Sequence, residues 1–254
     1  LWYNIYVIKR EQPQNRKEVI TMNQKIDRRI RYKIVLDTET CPIDRACKDV
    51  TPDNMWVYDC GWVITDKRGK VYRTRSFVNA DIFLDEKIAM TSAYYANKVP
   101  QYWDDIKAGR RILTSFRKIR ETYLADVEEF RVTETYAHNA RFDYGTLNTT
   151  QRWLTKSRYR YFFPYEMTIC DTLKMARDVL GNMPTYLKFC DENEYTTKSG
   201  KPRYTAEIIY RYITKDNDFT EEHKGLDDCL IEKEIMAYCY RQHKKMRRAL
   251  FEKR

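Results

Sequence analysis

Hydrophobic and polar positions divide the chain into a short N-terminal part and a longer body. Bulky and polar residues alternate over positions 1–10, which predicts a short strand, and positions 14–30 are polar and helix-prone. From position 31 onward the apolar runs become denser. We therefore predict an N-terminal extension over residues 1–30, made of a short strand and a polar helix, and one domain over residues 31–254.

Apolar and β-branched runs in the first half of the body predict three strands. One run covers Tyr32–Thr40, and two more cover Met55–Thr65 and Val71–Val78. The segment between the last two, Asp66–Lys70, carries a glycine suited to a tight turn. The body is thus expected to begin with three antiparallel strands.

The second half alternates helices with short strands. Helical periodicity extends through residues 102–130. Two further strands are predicted at Thr133–Ala137 and Met167–Cys170, each followed by a helix. Later helices are expected near Pro184–Asn193 and, as a basic C-terminal helix, from Thr220 to Phe251. The body is therefore predicted to contain five strands, the first three consecutive, together with several helices, as an α/β domain does.

Several common chemistries lack their motifs. The seven glycines are too widely spaced for G-x-G-x-x-G or G-x-x-x-x-G-K-[ST], which excludes a Rossmann dinucleotide site and a P-loop. The sequence contains no G-x-S-x-G elbow, and its three histidines form no H-E-x-x-H pattern.

The cysteines and the apolar runs bear on location. Seven cysteines, none spaced C-x-x-C, predict free buried thiols in a reducing compartment. No run approaches the ~18 apolar residues of a membrane span, and the first residues lack a secretory signal pattern. We expect a cytoplasmic protein without membrane association, in the host cytoplasm if the chain is phage-encoded.

Charge favours a polyanionic partner. Lys and Arg number 47 against 37 Asp and Glu, a net charge of +10, and basic residues cluster over 28–33 and 244–254. Charge alone fits an inert basic surface equally well.

Four acidic positions and one histidine form a candidate site. Asp37 and Glu39 are two apart, so on a strand both side chains project from one face, where two carboxylates repel unless a cation lies between them. Hard oxygen ligands select Mg2+ or Mn2+, and two such ions ~3.5 to 4 Å apart can stabilise both the attacking and the leaving oxygen of a phosphodiester. Asp143 and Asp228 are the further carboxylates, and His223, five positions before Asp228, is a candidate general base.

Each piece alone has an ordinary structural explanation. An Asp-x-Glu at a strand end is commonly a solvated turn entry, a histidine at a helix start is commonly a cap, and Asp143 would favour a helix dipole. The four carboxylates and the histidine together indicate a metal site more strongly than any one of them does alone.

Three segments together resemble the exonuclease motifs of the DEDD superfamily: Leu36–Thr40, His138–Asp143 and His223–Asp228. The histidine of the last segment matches the DEDDh branch. Asp171-Thr172-Leu173 also resembles a stretch of that family, so the resemblance covers roughly residues 31–240.

The resemblance implies a ribonuclease H-like fold, with a mixed five-stranded sheet flanked by helices, and a two-metal-ion 3'–5' exonuclease that releases nucleoside 5'-monophosphates. It implies that two Mg2+ or Mn2+ ions are held by Asp37, Glu39, Asp143 and Asp228, with His223 as the base. The expected substrate-binding residues are Thr38, Thr40, His138 and Asn139, of which the last two would mainly orient the loop around Asp143.

The sequence departs from the family pattern at three places. Gly225 stands where the family usually has alanine, Cys229 stands where it favours a small residue, and no glycine follows Thr40. Because no glycine follows Thr40, the turn after the first strand must differ from that of the family, and with it the contacts to the edge of the nucleotide. Asp227 adjoins Asp228, and the five-residue offset from His223 selects Asp228 as the ligand.

The predicted substrate is a single-stranded 3' end, with DNA favoured over RNA, and a polymerase or other replication protein is a predicted partner. Basic and aromatic residues interleave over Arg158–Phe163 and Arg203–Tyr212, which is typical of surfaces that stack bases, although such rings also build cores. The alternatives are a non-catalytic nucleic-acid-binding or polymerase-adaptor protein that retains the fold, and a 3'–5' exoribonuclease. An endonuclease of the same fold has less support, because the histidine motif indicates end trimming.

Overall fold

A computed structural model describes residues 26–44 and 49–251. The strand predicted over 1–10 and most of the polar helix predicted over 14–30 lie outside the described residues. The described part of the extension is a turn, and Ile26 and Ile30 pack against the main core.

The centre of the fold is one mixed sheet of six described strands in the order β4-β3-β2-β1-β5-β6. Strands β1, β2 and β3 are antiparallel neighbours, whereas the β3–β4, β1–β5 and β5–β6 pairs are parallel. The α/β prediction and the antiparallel start are confirmed. The strands are β1 (Lys33–Pro42), β2 (Met55–Thr65), β3 (Val71–Asn79), β4 (Ile112–Thr114), β5 (Glu134–Ala137) and β6 (Thr168–Asp171).

The sixth strand, β4, lies inside the stretch predicted as one helix over 102–130. Gly109 adopts a φ of +71°, which interrupts the helical path. The next residue but one, Arg111, forms a buried ion pair with Asp59, and Ile112–Thr114 then pairs with β3. The sheet therefore has six strands instead of the expected five, because these long-range contacts outweigh the local helical pattern.

Nine α-helices of the described chain surround the sheet, with two short 3-10 turns at Pro52–Asn54 and Ala96–Lys98. Helices α4 and α5 cover one face, and α6, α8 and α9 cover the other. None of the described helices is long and apolar enough to cross a bilayer. The helices are α1 (Ala80–Phe83), α2 (Lys87–Thr91), α3 (Val99–Lys107), α4 (Phe116–Phe130), α5 (Arg141–Thr155), α6 (Thr172–Leu180), α7 (Pro184–Glu192), α8 (Ala206–Thr214) and α9 (Gly225–Arg241).

Strand β1 shows how the alternating pattern divides the core. Ile34 and Leu36 are buried on the α4–α5 side, and Val35 is buried on the α9 side. By the same alternation, Asp37 and Glu39 face α9, and Thr38 faces α5.

Helix α9 begins directly against the sheet. A Cβ atom on Gly61 of β2 would lie 2.3 Å from the backbone N of Leu226, and one on Gly225 would lie 2.9 Å from the backbone N of Gly61. Paired glycines therefore allow the first turn of α9 to touch the backbone of β2. The Cys229 thiol extends the contact by donating to the Gly61 carbonyl at 3.2 Å.

Helix α9 is shorter than the helix predicted from Thr220 to Phe251. It begins at Gly225, because His223 has a φ of 48°, and it ends at Arg241, because His243 has a φ of 51° that reverses the chain. The basic residues after Arg241 are extended instead of helical. They run beside β6, where the Asp171 N–H donates to the Arg248 carbonyl at 2.8 Å.

The variant Gly61→Ala tests the close contact between α9 and the backbone of β2. We expect a loss of about 3 kcal/mol in the free energy of unfolding, because the new methyl group meets backbone atoms that must move. Urea denaturation measures the change. Gly109→Ala is the control: nothing lies within 4 Å of its added Cβ. Its cost is limited to the left-handed backbone, about 1 kcal/mol. Equal losses in the two variants would contradict the proposed close contact.

Candidate active site

A cleft of about 660 Å³ opens between the middle of β1, the end of β5 and the start of α9. Its position fits the general tendency of ligands to bind at the carboxyl ends of parallel strands. We call it the acidic cleft because five carboxylates line it: Asp37, Glu39, Glu221, Asp228 and Glu232.

Strand β1 and helix α9 supply the facing carboxylates. Asp37 and Glu39 project from the same face of β1 towards the first turns of α9, which carry Asp228. Between Glu39 and Thr40 the β1–β2 register shifts, so that β2 has one extra residue there. The bulge lies in β2, where Tyr58 is the extra residue.

Asp143 reaches the same region from the opposite face of the sheet. It lies in the first turn of α5, it is buried, and its Oδ1 accepts a hydrogen bond from the Thr38 hydroxyl at 2.8 Å. Asp143 does not line the cleft wall, but its charge raises the pKa of Asp37 and of Glu232. The structure therefore places it beneath the other carboxylates.

Crowding of the carboxylates raises their pKa values. Burial, followed by the charges of Glu232 and Asp143, raises the pKa of Asp37 well above its usual range. Burial and the charge of Asp59 raise the pKa of Glu39 to about 9. Burial and the charge of Glu221 raise the pKa of Asp228 to about 8, and burial raises the pKa of Asp143 to about 7. Without a cation, these groups cannot all be ionised at neutral pH.

Glu232 is a carboxylate that the sequence reasoning missed. It lies one turn after Asp228 on α9, its side chain is only 3% exposed, and the His138 backbone N–H donates to it. Its Oε2 has no hydrogen-bond partner among the described residues, and neither does Oδ1 of Asp228. The i, i+4 spacing from Asp228 was the available signal, because that spacing places two residues on one helix face.

These residues fit divalent cations. Buried carboxylate oxygens without a partner are costly unless a cation or a proton compensates them, and two such oxygens face the same cleft. An oxygen-rich donor set is the kind that Mg2+ and Mn2+ prefer. Glu39, His223 and Asp228 also offer ligand atoms within 4.8 Å of one another.

His223 stands at the rim of the acidic cleft. Its ring stacks on Tyr95 with the centroids 4.5 Å apart, and its Nδ1 lies 3.9 Å from a Glu221 carboxylate oxygen. Burial and the charge of Lys98 lower its pKa, so the ring is neutral at pH 7. The Lys98 ammonium also donates to the Glu222 carbonyl, which ties the loop before α9 to the segment that carries Tyr95.

Asp59 positions the helix that carries two of the carboxylates. Its Oδ2 accepts hydrogen bonds from the Tyr102 hydroxyl at 2.7 Å, from Arg111 at 2.5 Å and from the Gly225 N–H at 3.1 Å. A carboxylate at a helix N-terminus is favourable because it meets unpaired N–H groups and the positive end of the helix dipole. Asp59 thereby fixes where α9 begins.

The four expected substrate-binding residues differ in placement. Thr38, His138 and Asn139 line the acidic cleft, but Thr40 is buried after the bulge and does not line it. The His138 ring lies between the Thr172 hydroxyl at 2.9 Å and the Tyr204 carbonyl at 2.7 Å, so it connects β5 to α6 and to the loop before α8. Asn139 is exposed, and its backbone N–H donates to Asp171 at 3.1 Å.

One of the two aromatic and basic segments reaches the cleft. Arg203 and Tyr204 line its wall together with Arg177 and Leu173. In the other segment, Phe162 and Phe163 are buried in the core against α4 and do not line the cleft. The cleft thus has carboxylates on its floor and two arginines on its wall.

The sheet, its two helical layers and the placement of the cleft define a ribonuclease H-like fold. No family model matches the sequence, and no curated protein matches it. The structure is similar to that of a full-length 3'-exonuclease, with a TM-score of 0.51 and 13% identity over 86% of this chain and 63% of that protein.

Two further solved structures have lower TM-scores. Exonuclease X in complex with 5' overhanging duplex DNA has a TM-score of 0.41 and 14% identity over 83% of this chain and 92% of that one. Exonuclease I of E. coli in complex with a 5cy-dT13 oligonucleotide has a TM-score of 0.48 and 11% identity over 84% of this chain and 41% of that one. At 13% identity, the similarity to the 3'-exonuclease is one of fold.

The raised carboxyl pKa values predict how stability depends on pH in the absence of divalent cations. The unfolded chain loses these protons near the ordinary values of 3.8 and 4.5, whereas the folded protein keeps them up to about 7, 8 and 9 for Asp143, Asp228 and Glu39. The folded state thus binds more protons in this window. Its stability falls as the pH rises from about 4 to 9, by about 1.4 kcal/mol per pH unit for each extra proton.

Urea denaturation with EDTA at several pH values measures this slope. Glu232→Gln removes one crowded carboxylate and should make the slope shallower, and added Mn2+ should do the same in the wild type. Glu128→Gln is the matched control, because Glu128 is exposed on α4 away from the cleft. Parallel slopes for wild type and Glu232→Gln would argue against the crowding.

Proposed function

We propose that this protein is a two-metal-ion 3'–5' exonuclease that removes nucleoside 5'-monophosphates from single-stranded 3' ends. The observation that carries the proposal is the convergence of carboxylates from β1, α5 and α9, two of them with an unpartnered oxygen, beside a neutral histidine at one cleft. The similarity in fold to a 3'-exonuclease agrees with it.

Two Mg2+ or Mn2+ ions would be held by Asp37, Glu39, Asp143, Asp228 and Glu232. When bound, the ions would neutralise these carboxylates and stabilise the negative charge that develops on the phosphate. The rigid backbone around Gly61 and Gly225 keeps α9, and hence Asp228 and Glu232, at a constant distance from β1.

His223 would act as the general base. Its lowered pKa keeps a ring nitrogen free to accept a proton at pH 7, and its ring lies within reach of a water held near Glu39 and Asp228. Stacking on Tyr95 restricts the ring to one plane, so the nitrogen that accepts the proton stays directed at the cleft.

The remaining cleft surface suits one terminal nucleotide. Its volume of about 660 Å³ lies within the range of sites for one small organic ligand. Arg177 and Arg203 would bind the phosphate, and Leu173 offers an apolar surface for the base. Thr38 and Asn139 complete the wall that the terminal sugar would meet.

The non-catalytic alternative fits the site less well. A binding module that only retains the fold gains nothing from five crowded carboxylates, which repel a phosphate backbone and raise one another's pKa values. A 3'–5' exoribonuclease would use the same residues, and the preference for DNA stays a prediction. A cytoplasmic location, a phage origin and a replication-protein partner also stay predictions, although the six described cysteines are free thiols, as a reducing compartment requires.

Hydrolysis of 5'-labelled single strands tests the activity. With Mg2+, the wild type should shorten a DNA strand, an RNA strand or both stepwise from the 3' end, and EDTA should stop the reaction. Asp37→Asn should lower the rate at least 10³-fold, because it removes a charge on which cation binding depends. Glu128→Gln, which changes an exposed carboxylate, should keep the wild-type rate. An Asp37→Asn variant that keeps full activity would refute the site.

His223→Ala tests the proposed base. Loss of a general base typically lowers a rate by about 10²–10⁴-fold. We therefore expect the rate of hydrolysis to fall in that range, while a calorimetric titration with Mn2+ stays close to that of the wild type. A large loss of Mn2+ affinity would assign His223 as a metal ligand instead. Tyr95→Phe keeps the stacked ring and should keep most of the activity.

A further inference from the structure

A second cleft lies at the other end of α9 from the acidic cleft. Its volume is about 610 Å³, and its walls come from the β2–β3 turn and from the segment that follows α9. We call it the basic cleft, because none of its nine lining residues is acidic and six are Lys67, Arg68, Arg241, Lys244, Lys245 and Arg248.

We propose that the basic cleft is a second nucleic-acid site, which binds the phosphate backbone of a single strand at a distance from its 3' end. The proposal deepens the proposed function, because it assigns the path of the same substrate strand. It does not depend on hydrolysis for its test.

Most of the positive charges of the basic cleft form no ion pair with a described residue of the folded chain. Lys67, Arg68 and Lys245 are exposed and form no ion pair with any described residue. Arg248 differs, because it bonds Glu134 at 3.0 Å and the Tyr240 hydroxyl at 2.7 Å. Like charges that share one concave surface repel each other, and a polyanion removes that repulsion while it releases counterions.

The backbone holds the basic segment in place before any ligand binds. His243 reverses the chain after α9, and the segment is then tied to β6 by the Asp171 N–H to the Arg248 carbonyl at 2.8 Å and by the Leu250 N–H to the Ile169 carbonyl at 2.7 Å. On the other wall, Lys67 and Arg68 lie in a tight turn in which the Arg68 N–H donates to Asp66 at 2.8 Å. Because this backbone is already ordered, binding of phosphates costs entropy mainly in the lysine and arginine side chains.

The shape of the cleft favours a strand over a membrane. A lipid surface is flat and does not enter a concave groove, and the other lining residues, such as Tyr240 and Met246, are half-buried and do not project as an apolar anchor. A single strand enters such a groove, and half-exposed Tyr240 offers a ring beside the cations.

The two clefts lie a defined distance apart. Asp228 and Arg241 are on the same helix, 13 residues from each other, which corresponds to ~20 Å at ~1.5 Å per residue. A stacked strand in B-form geometry rises ~3.4 Å per phosphate and needs roughly six nucleotides for that distance, whereas an extended single strand needs fewer. A single nucleotide at the acidic cleft therefore does not reach the basic cleft, whereas a longer strand does.

Fluorescence anisotropy in EDTA tests the proposal, because binding is then measured without turnover. The probe is a labelled single-stranded DNA of roughly 20 nucleotides, longer than the span between the clefts. The variant Lys67→Ala/Arg68→Ala/Lys245→Ala should bind it at least tenfold more weakly than the wild type. The slope of log K against log salt should become shallower by about 2, since each lost phosphate contact contributes about 0.7.

The control variant Lys107→Ala/Arg117→Ala/Lys118→Ala removes the same charge from exposed positions that line neither cleft. It should keep nearly the wild-type affinity. The proposal is overturned if the cleft variant binds the long strand as the wild type does, if the control loses as much affinity, or if the cleft variant loses only its binding to anionic lipid vesicles.

The test separates this proposal from the proposed function. If the protein binds the strand through the basic cleft but does not shorten it with Mg2+, the second site is supported and the exonuclease assignment is wrong. If the protein shortens the strand while the cleft variant binds it normally, the exonuclease assignment is supported and the second site is wrong.

Discussion

The direct contact between the first turn of α9 and the backbone of β2 is the constraint on which the rest of the site depends. Gly61 and Gly225 allow the approach, and the Asp59 carboxylate holds the Gly225 N–H while Arg111 balances its charge. Because this contact is backbone against backbone, it leaves the helix almost no freedom to slide or tilt. Asp228 and Glu232 on α9 are thereby held against Asp37 and Glu39 on β1.

Such a rigid contact is needed because the carboxylates themselves oppose it. Without cations, holding these groups together costs free energy, either as repulsion between the charged forms or as uptake of protons, which is the direction of the raised pKa values of Asp37 and Glu232. Other parts of the fold supply the compensating stability. Asp126, for example, is a buried carboxylate whose oxygens are satisfied by Arg73, Arg75 and the Trp62 indole. The Asp126 carboxylate is thus paired within the protein, whereas Asp228 and Glu232 of the acidic cleft each keep one oxygen without a partner among the described residues.

Local patterns predicted the local parts of this molecule. The β2–β3 hairpin follows from two alternating runs around a glycine turn, and the motif carboxylates could be singled out because strand periodicity and resemblance agreed on them. Features that depend on distant contacts could not be read in this way. Strand β4 depends on the pairing of Ile112–Thr114 with β3 and on the Arg111–Asp59 pair, neither of which a helical pattern reveals. The burial of Thr40 outside the cleft depends on the packing around β1, whereas Glu232 did have a local signal in its i, i+4 spacing from Asp228.

Helix α9 also relates the two clefts to each other. Its N-terminal end, where the helix dipole is positive, carries the carboxylates, and its C-terminal end, where the dipole is negative, carries Arg241 and leads into the basic segment. The dipole therefore favours both charge clusters at the ends where they lie, and a continuous helix keeps them a constant distance apart. A strand bound at both ends of this helix would have two points of attachment. The cations of the basic cleft would hold its phosphates, and the acidic cleft would hold its terminal nucleotide. A strand too short to reach the basic cleft would lack this second attachment, so a single helix could set a minimum length for tight binding without any moving part.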